Sequence, residues 1–428
     1  MARAMTSVVF PGPRIGAADG RPGRVSALAT GFRADRRRQT IGSLVLIGPL
    51  VVFIVFAFVL PLGTMLFHAI NNPEVRNAFP MTLASLEDWD GMGTPPDAAF
   101  DAVAADIRAS ADPKTMAEAG RRLNYEITGF RSLLAKTVRT VRKAPEQPAR
   151  TQLLAIDGNW GNPAYWRVIQ RNGAPLTAFY LLSAVDLRPG ENGGVQMAPP
   201  EERLFLSTLM RTLTISALVT LICLFVAYPI ANAIVAIGGR LSAIMLACVL
   251  LPFWTSLLVR TSAWIVILQK EGVVNRLLQA LNITNAPLEL VFNRTGLYIA
   301  MVHILLPFMV LPLVSVMKGI SPSYVKASAS LGAGPVTTFL RVYLPLTLPG
   351  VGAGCLLTFI ISAGYYVTPT LVGGASDQML SYFVAFYANT TINWGMSAAL
   401  GVLLLTCILA LYGIVGRIVG IGRIVGME

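Results

Sequence analysis

The sequence predicts an all-α polytopic membrane protein with six transmembrane helices and a helical extracytoplasmic insert. Of its 428 residues, 54% are hydrophobic and 13% are charged, about half the charged fraction of an ordinary soluble domain. Six apolar runs are each long enough to cross a bilayer, which takes about 20 residues. The charges concentrate between residues 71 and 203, where 15 Lys or Arg accompany 16 Asp or Glu, whereas the other 295 residues carry 19 basic and 6 acidic groups.

Residues 1–41 are predicted to form a basic cytoplasmic tail. They are polar and rich in arginine. They lack the short apolar stretch and small-residue cleavage site of a signal peptide. The first transmembrane helix is predicted at residues 42–67, within a run that contains no charged residue.

The insert, residues 71–203, is too long to be a simple connection between two spans. Asp112 and Pro113 predict a helix start, since Asp caps a helix and Pro suits its first position. Apolar residues at helical spacing from Met116 to Val141 predict that one helix face continues from there.

Two further segments of the insert have a predicted structure. Pro96 and Asp97 predict a second helix start, and the apolar, aromatic run Thr177–Val185 predicts a strand or a buried segment. Two interpretations of the insert stay open. Its helices either cover only one another, or they form a docking surface for a partner outside the cell membrane.

Residues 204–416 contain the other five predicted spans. These are placed at about 212–238, 241–268, 295–317, 346–370 and 394–416. Arg260 lies inside the third of them, where it either ends the span or marks a kink.

Basic residues in short flanking segments predict the orientation, because such residues stay on the cytoplasmic side. They occur in four segments, each separated from the next by two spans. These four segments therefore lie on the same side of the membrane. The basic residues are Arg33, Arg36, Arg37 and Arg38 before the first span, Arg240 after the second, Lys318, Lys326 and Arg341 after the fourth, and Arg417 and Arg423 after the sixth. We therefore expect both termini, including residues 417–428, in the cytoplasm.

Other sequence features disfavour several classes of function. The four cysteines all lie in apolar runs, so neither a disulfide framework nor a metal site is predicted. No nucleic-acid motif accompanies the net charge of +12, and the sequence contains no phosphate-binding loop for ATP. His68 and His303 have no carboxylate nearby in sequence, which favours hydrogen bonding between helices over a proton path. Two isolated histidines also do not form a catalytic cluster. We predict no cofactor and no enzymatic activity for this chain.

The segment 319–345, between the fourth and fifth spans, predicts two short helices joined by a turn. Ser321 and Pro322 predict the first helix start. Gly332 allows a sharp turn after it, and a second short helix is expected at Val336–Tyr343. This elbow is either a lever pushed by a cytoplasmic partner or an ordinary amphipathic connector.

This segment resembles the EAA loop of ABC importer permeases, whose pattern is Glu-Ala-Ala, three residues, Gly, and a hydrophobic stretch ending near Leu-Pro. Ala327, Gly332 and Pro345 match that pattern, Ser328 is a mild change, and Lys326 reverses the charge of the usual Glu. The resemblance implies that these five residues couple the chain to an ATPase.

Further stretches resemble the spermidine/putrescine permease group within that family. They are Leu251–Trp264, Leu305–Pro312, Tyr365–Gly374 and Asn393–Gly395. The resemblance covers roughly residues 204–417. It implies a type I ABC importer permease fold and alternating access in the bacterial inner membrane. Implied partners are two cytoplasmic ATPase subunits, a second permease, a periplasmic substrate-binding protein and membrane lipid.

The substrate path is predicted from aromatic residues, because the six spans contain no Asp or Glu. Trp254, Tyr365 and Tyr366 are candidates for cation–π contact with a polyamine. For Trp254, a role as an anchor at the membrane interface is the favoured interpretation. Other small organic solutes stay open as substrates, as do an ion-coupled transporter and a membrane scaffold without transport activity.

Overall fold

The computed structural model describes residues 46–143, 148–190 and 194–419. The predicted tail, the first four residues of the predicted first span and residues 420–428 lie outside the described residues. The first described helix, α1, is Leu46–Phe67 and is apolar along its whole length. A π-helical turn at Val55–Val59 comes shortly before Pro61, which has no backbone N–H to donate to a regular α-helix.

The insert is a helical unit with a hydrophobic core of its own. Trp160 and Trp166 are fully buried in that core, with their ring centroids 5.3 Å apart. Phe100 packs on Trp166 and Phe130 on Trp160. Its helices are α2 (Pro73–Ala78), α3 (Pro80–Ser85), α4 (Asp97–Ala109), α5 (Pro113–Asn124), α6 (Phe130–Lys143), α7 (Ala149–Ile156), α8 (Pro163–Arg171) and α9 (Phe179–Ala184). Strands β1 (Leu187–Pro189) and β2 (Val195–Met197) form an antiparallel pair at its end.

Both predicted helix starts in the insert are confirmed. The Asp112 carboxylate accepts a hydrogen bond from the Lys114 N–H, and α4 begins at Asp97. The continuous helix from Met116 to Val141 is wrong, because α5 ends at Asn124 and Gly129, with φ of +95°, lies in the turn that lets α6 fold back onto α5.

The strand alternative for Thr177–Val185 is also wrong. Most of that run forms α9, which is buried among apolar side chains of the membrane helices. The run is densely apolar because it is buried. A buried strand and a short buried helix have similar apolar content, so composition does not distinguish them.

Arg122 is buried, with 2% of its surface exposed, and its side chain contacts three parts of the insert. Its Nε donates to the Asn72 Oδ1 at 2.9 Å, and its NH1 lies 3.0 Å from the Glu126 Oε1. The guanidinium carbon also lies 4.4 Å from the Phe179 ring centroid and 5.1 Å from that of Tyr180. One buried cation thus connects the segment after α1, α5 and α9.

The remaining membrane region contains ten helices among the described residues. They are α10 (Phe205–Ile237), α11 (Gly239–Leu250), α12 (Leu257–Leu268), α13 (Val273–Ala280), α14 (Arg294–Gly319), α15 (Pro322–Ser330), α16 (Pro335–Gly364), α17 (Val367–Val372), α18 (Leu380–Asn389) and α19 (Trp394–Val419). Together with α1, four of these are long and apolar enough to cross a membrane, and the bent segment from α11 to α13 makes a sixth span if counted as one.

The predicted third span is broken in the structure. The helices on either side of the break form an angle of 102°. A 3-10 turn, Leu251–Trp254, interrupts the helix at Pro252, and the backbone is extended at Thr255. Pro252 lacks the N–H that a continuous helix needs.

Helix α14 packs between α10 and α16, and glycines bring α16 close to it. A Cβ added at Gly354 would lie 2.8 Å from the Met309 Sδ and 3.2 Å from the Met309 carbonyl oxygen, and one at Gly350 would lie 3.0 Å from Val316. Glycines four residues apart are the usual means by which membrane helices approach closely.

Replacing Gly354 by leucine is therefore expected to destabilise the membrane core by about 1–3 kcal/mol, because the backbone of α14 cannot move away cheaply. Gly401→Leu in α19 is the control, since nothing lies within 4 Å of a Cβ at that position. Thermal denaturation of the detergent-purified chain measures the difference. Equal midpoints for both variants would contradict close packing at Gly354.

Candidate functional site

The first arm of the elbow is α15, which begins and ends as its sequence predicts. The Ser321 hydroxyl caps it by accepting the Ser323 N–H. At the other end, the Gly332 N–H bonds the Ala329 carbonyl at 3.0 Å, and the Ala333 N–H bonds the Ser328 carbonyl at 3.1 Å. These two bonds form a Schellman motif. Gly332 has φ of +84°, which glycine adopts without strain.

The two arms of the elbow are tied to each other by a buried hydrogen bond. The Ser328 hydroxyl lies 2.9 Å from the hydroxyl of Thr338, which is on the first turn of α16. Both side chains are buried. The bond spans the Gly332 turn and joins the two arms.

The second arm differs from the separate short helix expected at Val336–Tyr343. The chain instead runs from Pro335 to Gly364 as a single helix, α16, which includes a π-helical turn at Phe339–Tyr343. The Leu344 N–H bonds the carbonyl of Phe339, five residues back. Pro345 follows with no N–H to donate, which explains why the helix widens there instead of ending. The elbow is therefore continuous with the fifth span.

The outer surface of the elbow is exposed and largely apolar. Lys326 and Ala327 are both exposed on α15, and Lys326 forms no salt bridge with any described carboxylate. Leu331, at the tip of the turn, is 88% exposed, and Val336 and Leu340 are also exposed. Apolar side chains gathered at a tip like this are typical of a protein–protein contact.

Two polar contacts connect the elbow to α10, and the sequence reasoning missed both. The Tyr343 hydroxyl donates to the Asn232 Oδ1 at 3.2 Å, and the Tyr228 hydroxyl lies 3.1 Å from the Thr347 hydroxyl. The available signal was a pair of polar side chains, Tyr228 and Asn232, one helical turn apart in an apolar span. A groove of about 430 Å³ lies between this end of α10 and the elbow.

The predicted path residues do not form one cluster. Trp254 ends the 3-10 turn of the broken span with 90% of its surface exposed. Tyr365 and Tyr366 lie between α16 and α17, so the fifth span ends at Gly364 and not near residue 370. Tyr365 is half-buried against the α10–α14 core, and its carbonyl accepts the Ser381 hydroxyl at 2.7 Å. Tyr366 is the more exposed of the two tyrosines.

Arg260 has a structural role at the break in the third span. It donates hydrogen bonds to the carbonyl oxygens of Pro252 and Thr255, the second at 2.9 Å. The Pro252 carbonyl also accepts the Thr255 N–H and hydroxyl, so Arg260 adds a donor at a break where backbone carbonyls left unpaired in lipid would be costly. The structure thus favours the kinked-span interpretation of Arg260.

His303 makes the interhelical hydrogen bond favoured from its sequence context. The Trp264 Nε1 donates to the His303 Nδ1 at 3.1 Å, which ties α12 to α14. Thr261 and Thr368 make a second tie, between α12 and α17, with their hydroxyls 3.3 Å apart. The described residues contain no group of three or more His, Cys, Asp or Glu side chains suited to a metal ion.

Comparisons with known proteins agree on the kind of molecule that this region resembles. Residues 225–420 match the model of a family described as the binding-protein-dependent transport system inner membrane component. The spermidine/putrescine transport system permease protein PotB of Escherichia coli is 31% identical over 201 residues, which cover 47% of this chain and 73% of that protein. PotB of Haemophilus influenzae is 33% identical over 199 residues, covering 46% and 70%.

Among solved structures, similarity extends to a bacterial ABC transporter involved in the import of the acidic polysaccharide alginate. The TM-score is 0.42 at 16% sequence identity, over 50% of this chain and 78% of the other. The MetNI methionine ABC transporter in an inward-facing conformation gives a TM-score of 0.40 at 17% identity, over 52% of this chain and 98% of the other.

Proposed function

The chain belongs to the family of binding-protein-dependent transport system inner membrane components, and from that premise we propose that it carries a polyamine, spermidine or putrescine, into the cell. It is a multi-pass inner-membrane permease subunit of a binding-protein-dependent importer. The observation that supports a polyamine is the identity of 31–33% to spermidine/putrescine permeases over at least 70% of their length.

The elbow is the proposed contact for an ATPase partner. Its exposed apolar tip offers a docking surface, and the Ser328–Thr338 bond makes its two arms rigid. Because α16 continues from the elbow into the fifth span without a break, a push on α15 moves that span directly. Tyr228 and Asn232 carry the same motion to α10. This arrangement supports alternating access driven by ATP binding to a separate subunit.

Lys326 is proposed to face an acidic group of that ATPase, since the chain carries Lys where the family pattern has Glu. Lys326→Glu is expected to slow ATP-driven uptake about twofold to thirtyfold, because an exposed pair contributes about 0.2–1 kcal/mol and its reversal adds repulsion of similar size. Lys326→Arg is the matched control and should transport at the normal rate. Initial uptake rates in proteoliposomes measure the effect, and a fully active Lys326→Glu variant would exclude an acidic partner.

The translocation path is proposed to be aromatic in character. The spans contain no carboxylate, so cation–π contacts of about 0.5–2 kcal/mol each would replace ion pairs for a polycation. Tyr366 and Trp254 are exposed and available for this purpose. Arg260 is held in place at the break by hydrogen bonds to backbone carbonyls.

Further partners and the orientation follow as proposals from the same family membership. A second permease subunit is proposed to complete the pathway, and a periplasmic binding protein is proposed to dock on the side of the insert. Both termini are proposed to be cytoplasmic. The insert has a complete core of its own, which supports the interpretation that its helices cover one another and present a stable outer surface.

ATP-driven uptake tests the proposed function. The chain, its partner permease, the ATPase and the cognate binding protein are reconstituted in proteoliposomes with ATP inside, and radiolabelled putrescine and spermidine are supplied outside. We expect accumulation that needs both ATP and the binding protein. Uptake that persists without ATP would indicate an ion-coupled transporter, and uptake of neither polyamine would refute the proposed substrate.

A further inference from the structure

A cavity lies where the insert meets the start of α19. Its volume is about 290 Å³, and its walls come from α2 and α5 of the insert, from α9, and from the turn before α19. This volume is near the lower limit of about 300 Å³ for small-molecule sites. The cavity therefore suits a small or linear ligand, and it lies outside both the elbow and the proposed path.

The charges on its walls leave one carboxylate oxygen without a partner. Arg121 lies 3.8 Å from the Glu118 carboxylate, and Arg122 forms a salt bridge with Glu126, while its NH1 and NH2 make no bond of hydrogen-bond geometry. Among the described residues, the Glu74 Oε2 is buried and has no hydrogen-bond partner. Removing a carboxylate oxygen from water without a partner is costly, and a bound cation would remove that cost.

Aromatic rings line the same cavity. Tyr125, Tyr180 and Trp394 contribute to its walls, and one face of Tyr180 is already covered by the Arg122 guanidinium. Burial raises the pKa of both tyrosine hydroxyls, so the two side chains stay neutral. Neutral aromatic rings beside a carboxylate are the surroundings that favour an organic ammonium ion.

The turn that places Trp394 in the wall is strained. Ile392 has φ of +56° and also lines the cavity. A β-branched residue in this left-handed region is a clear outlier, and more than half of its surface is exposed. The same turn ends α18, because the Asn393 N–H bonds the Tyr387 carbonyl at 2.8 Å, and it brings Ile392 and Trp394 to the cavity wall.

We propose that this cavity binds an organic ammonium cation of the polyamine class, with Glu74 as its counter-ion and Tyr125 and Trp394 as its ring walls. The inference rests on the proposed function, of which it names a second substrate site. The cavity lies at the insert end of α19, which the proposed orientation puts outside the membrane. A substrate released from a binding protein would meet it before entering the spans.

Equilibrium binding of radiolabelled putrescine tests this site in the complete complex, in lipid nanodiscs, without ATP or binding protein. We expect Glu74→Gln to weaken binding at least tenfold, since it removes a charge-assisted hydrogen bond. Asp101→Asn, an exposed carboxylate of the insert that does not line the cavity, should bind normally. Putrescine should also change the tryptophan fluorescence, and Trp394→Phe should abolish that change.

Two outcomes overturn the inference. One is the absence of putrescine binding to the wild-type complex, and the other is equal binding by wild type and Glu74→Gln. Binding that depends on Glu74 while ATP-driven polyamine uptake fails would support the site and refute the proposed function. Normal ATP-driven uptake together with putrescine binding that Glu74→Gln leaves unchanged would support the proposed function and refute the site.

Discussion

Replacing Gly332 by valine is expected to lower ATP-driven uptake about tenfold while leaving the chain inserted in the membrane. The residue has φ of +84° and closes the Schellman motif at the end of α15. A left-handed conformation costs an L-residue about 1–2 kcal/mol, and it is a clear outlier for a β-branched one. Each 1.4 kcal/mol is a factor of ten in an equilibrium. The turn would open and the elbow would no longer move as one body.

Gly334 provides the matched control two residues away. Its φ is −67°, and nothing lies within 4 Å of a Cβ at that position. Gly334→Ala should therefore transport normally. Gly332→Asn should be intermediate, since Asn tolerates the left-handed region. Uptake rate and membrane-inserted yield are measured side by side. Normal uptake by Gly332→Val would mean that the elbow does not need this turn for coupling.

Replacing Arg122 by methionine is expected to destabilise the insert by about 3–5 kcal/mol. The change keeps much of the side-chain volume but removes the partner of a buried carboxylate, and breaking such a pair on one side carries this cost. Glu126 retains Arg171 as a partner, which favours the lower end of the range. The stacking on Phe179 and the bond to Asn72 are lost as well.

The neighbouring arginine separates this effect from a general loss of charge. Arg121 is partly exposed and pairs with Glu118 at 3.8 Å, so Arg121→Met should cost about 1 kcal/mol or less. Amide hydrogen exchange of α5 and α9 in the full chain measures both variants. Equal protection in the two would show that Arg122 does not hold the insert together.

Much of the fold was predictable because it depends on interactions between residues that are close together in the sequence. Helix starts at Asp112 and Ser321 depend on a side chain capping its own helix, and the structure confirms both. Long charge-free runs identify spans because lipid admits few alternatives to a helix. The turn at Gly332 follows from the backbone freedom of glycine.

Other features depend on contacts between distant segments, which a single sequence does not reveal. The reversal at Gly129 interrupts a pattern whose apolar spacing continues on both sides. At the 102° bend after α11, Arg260 donates to the backbone carbonyls of Pro252 and Thr255, contacts that the sequence alone does not show. The apolar sequence of α9 does not distinguish a strand from a short buried helix. Its burial against the membrane helices is a contact between distant segments.

The candidate site divides in the same way. The elbow residues are consecutive in sequence, so their grouping was predictable from their spacing. The contacts of Tyr343 with Asn232 and of Tyr228 with Thr347 join residues more than 100 positions apart. The path residues come from separate segments, and no local pattern fixes how Trp254 is placed relative to Tyr365.

The most direct test of the central claim is the sidedness of the elbow. Ser330→Cys places a thiol on the exposed surface of α15 and Asp101→Cys places one on the insert, with the wild-type chain as the background for its native cysteines. Each is treated with a membrane-impermeant maleimide in cells whose outer membrane is permeabilised and whose inner membrane is intact, and in inverted inner-membrane vesicles. The account predicts that position 330 reacts only in inverted vesicles and position 101 only from outside, in cells with a permeabilised outer membrane. Labelling of position 330 from outside would contradict it.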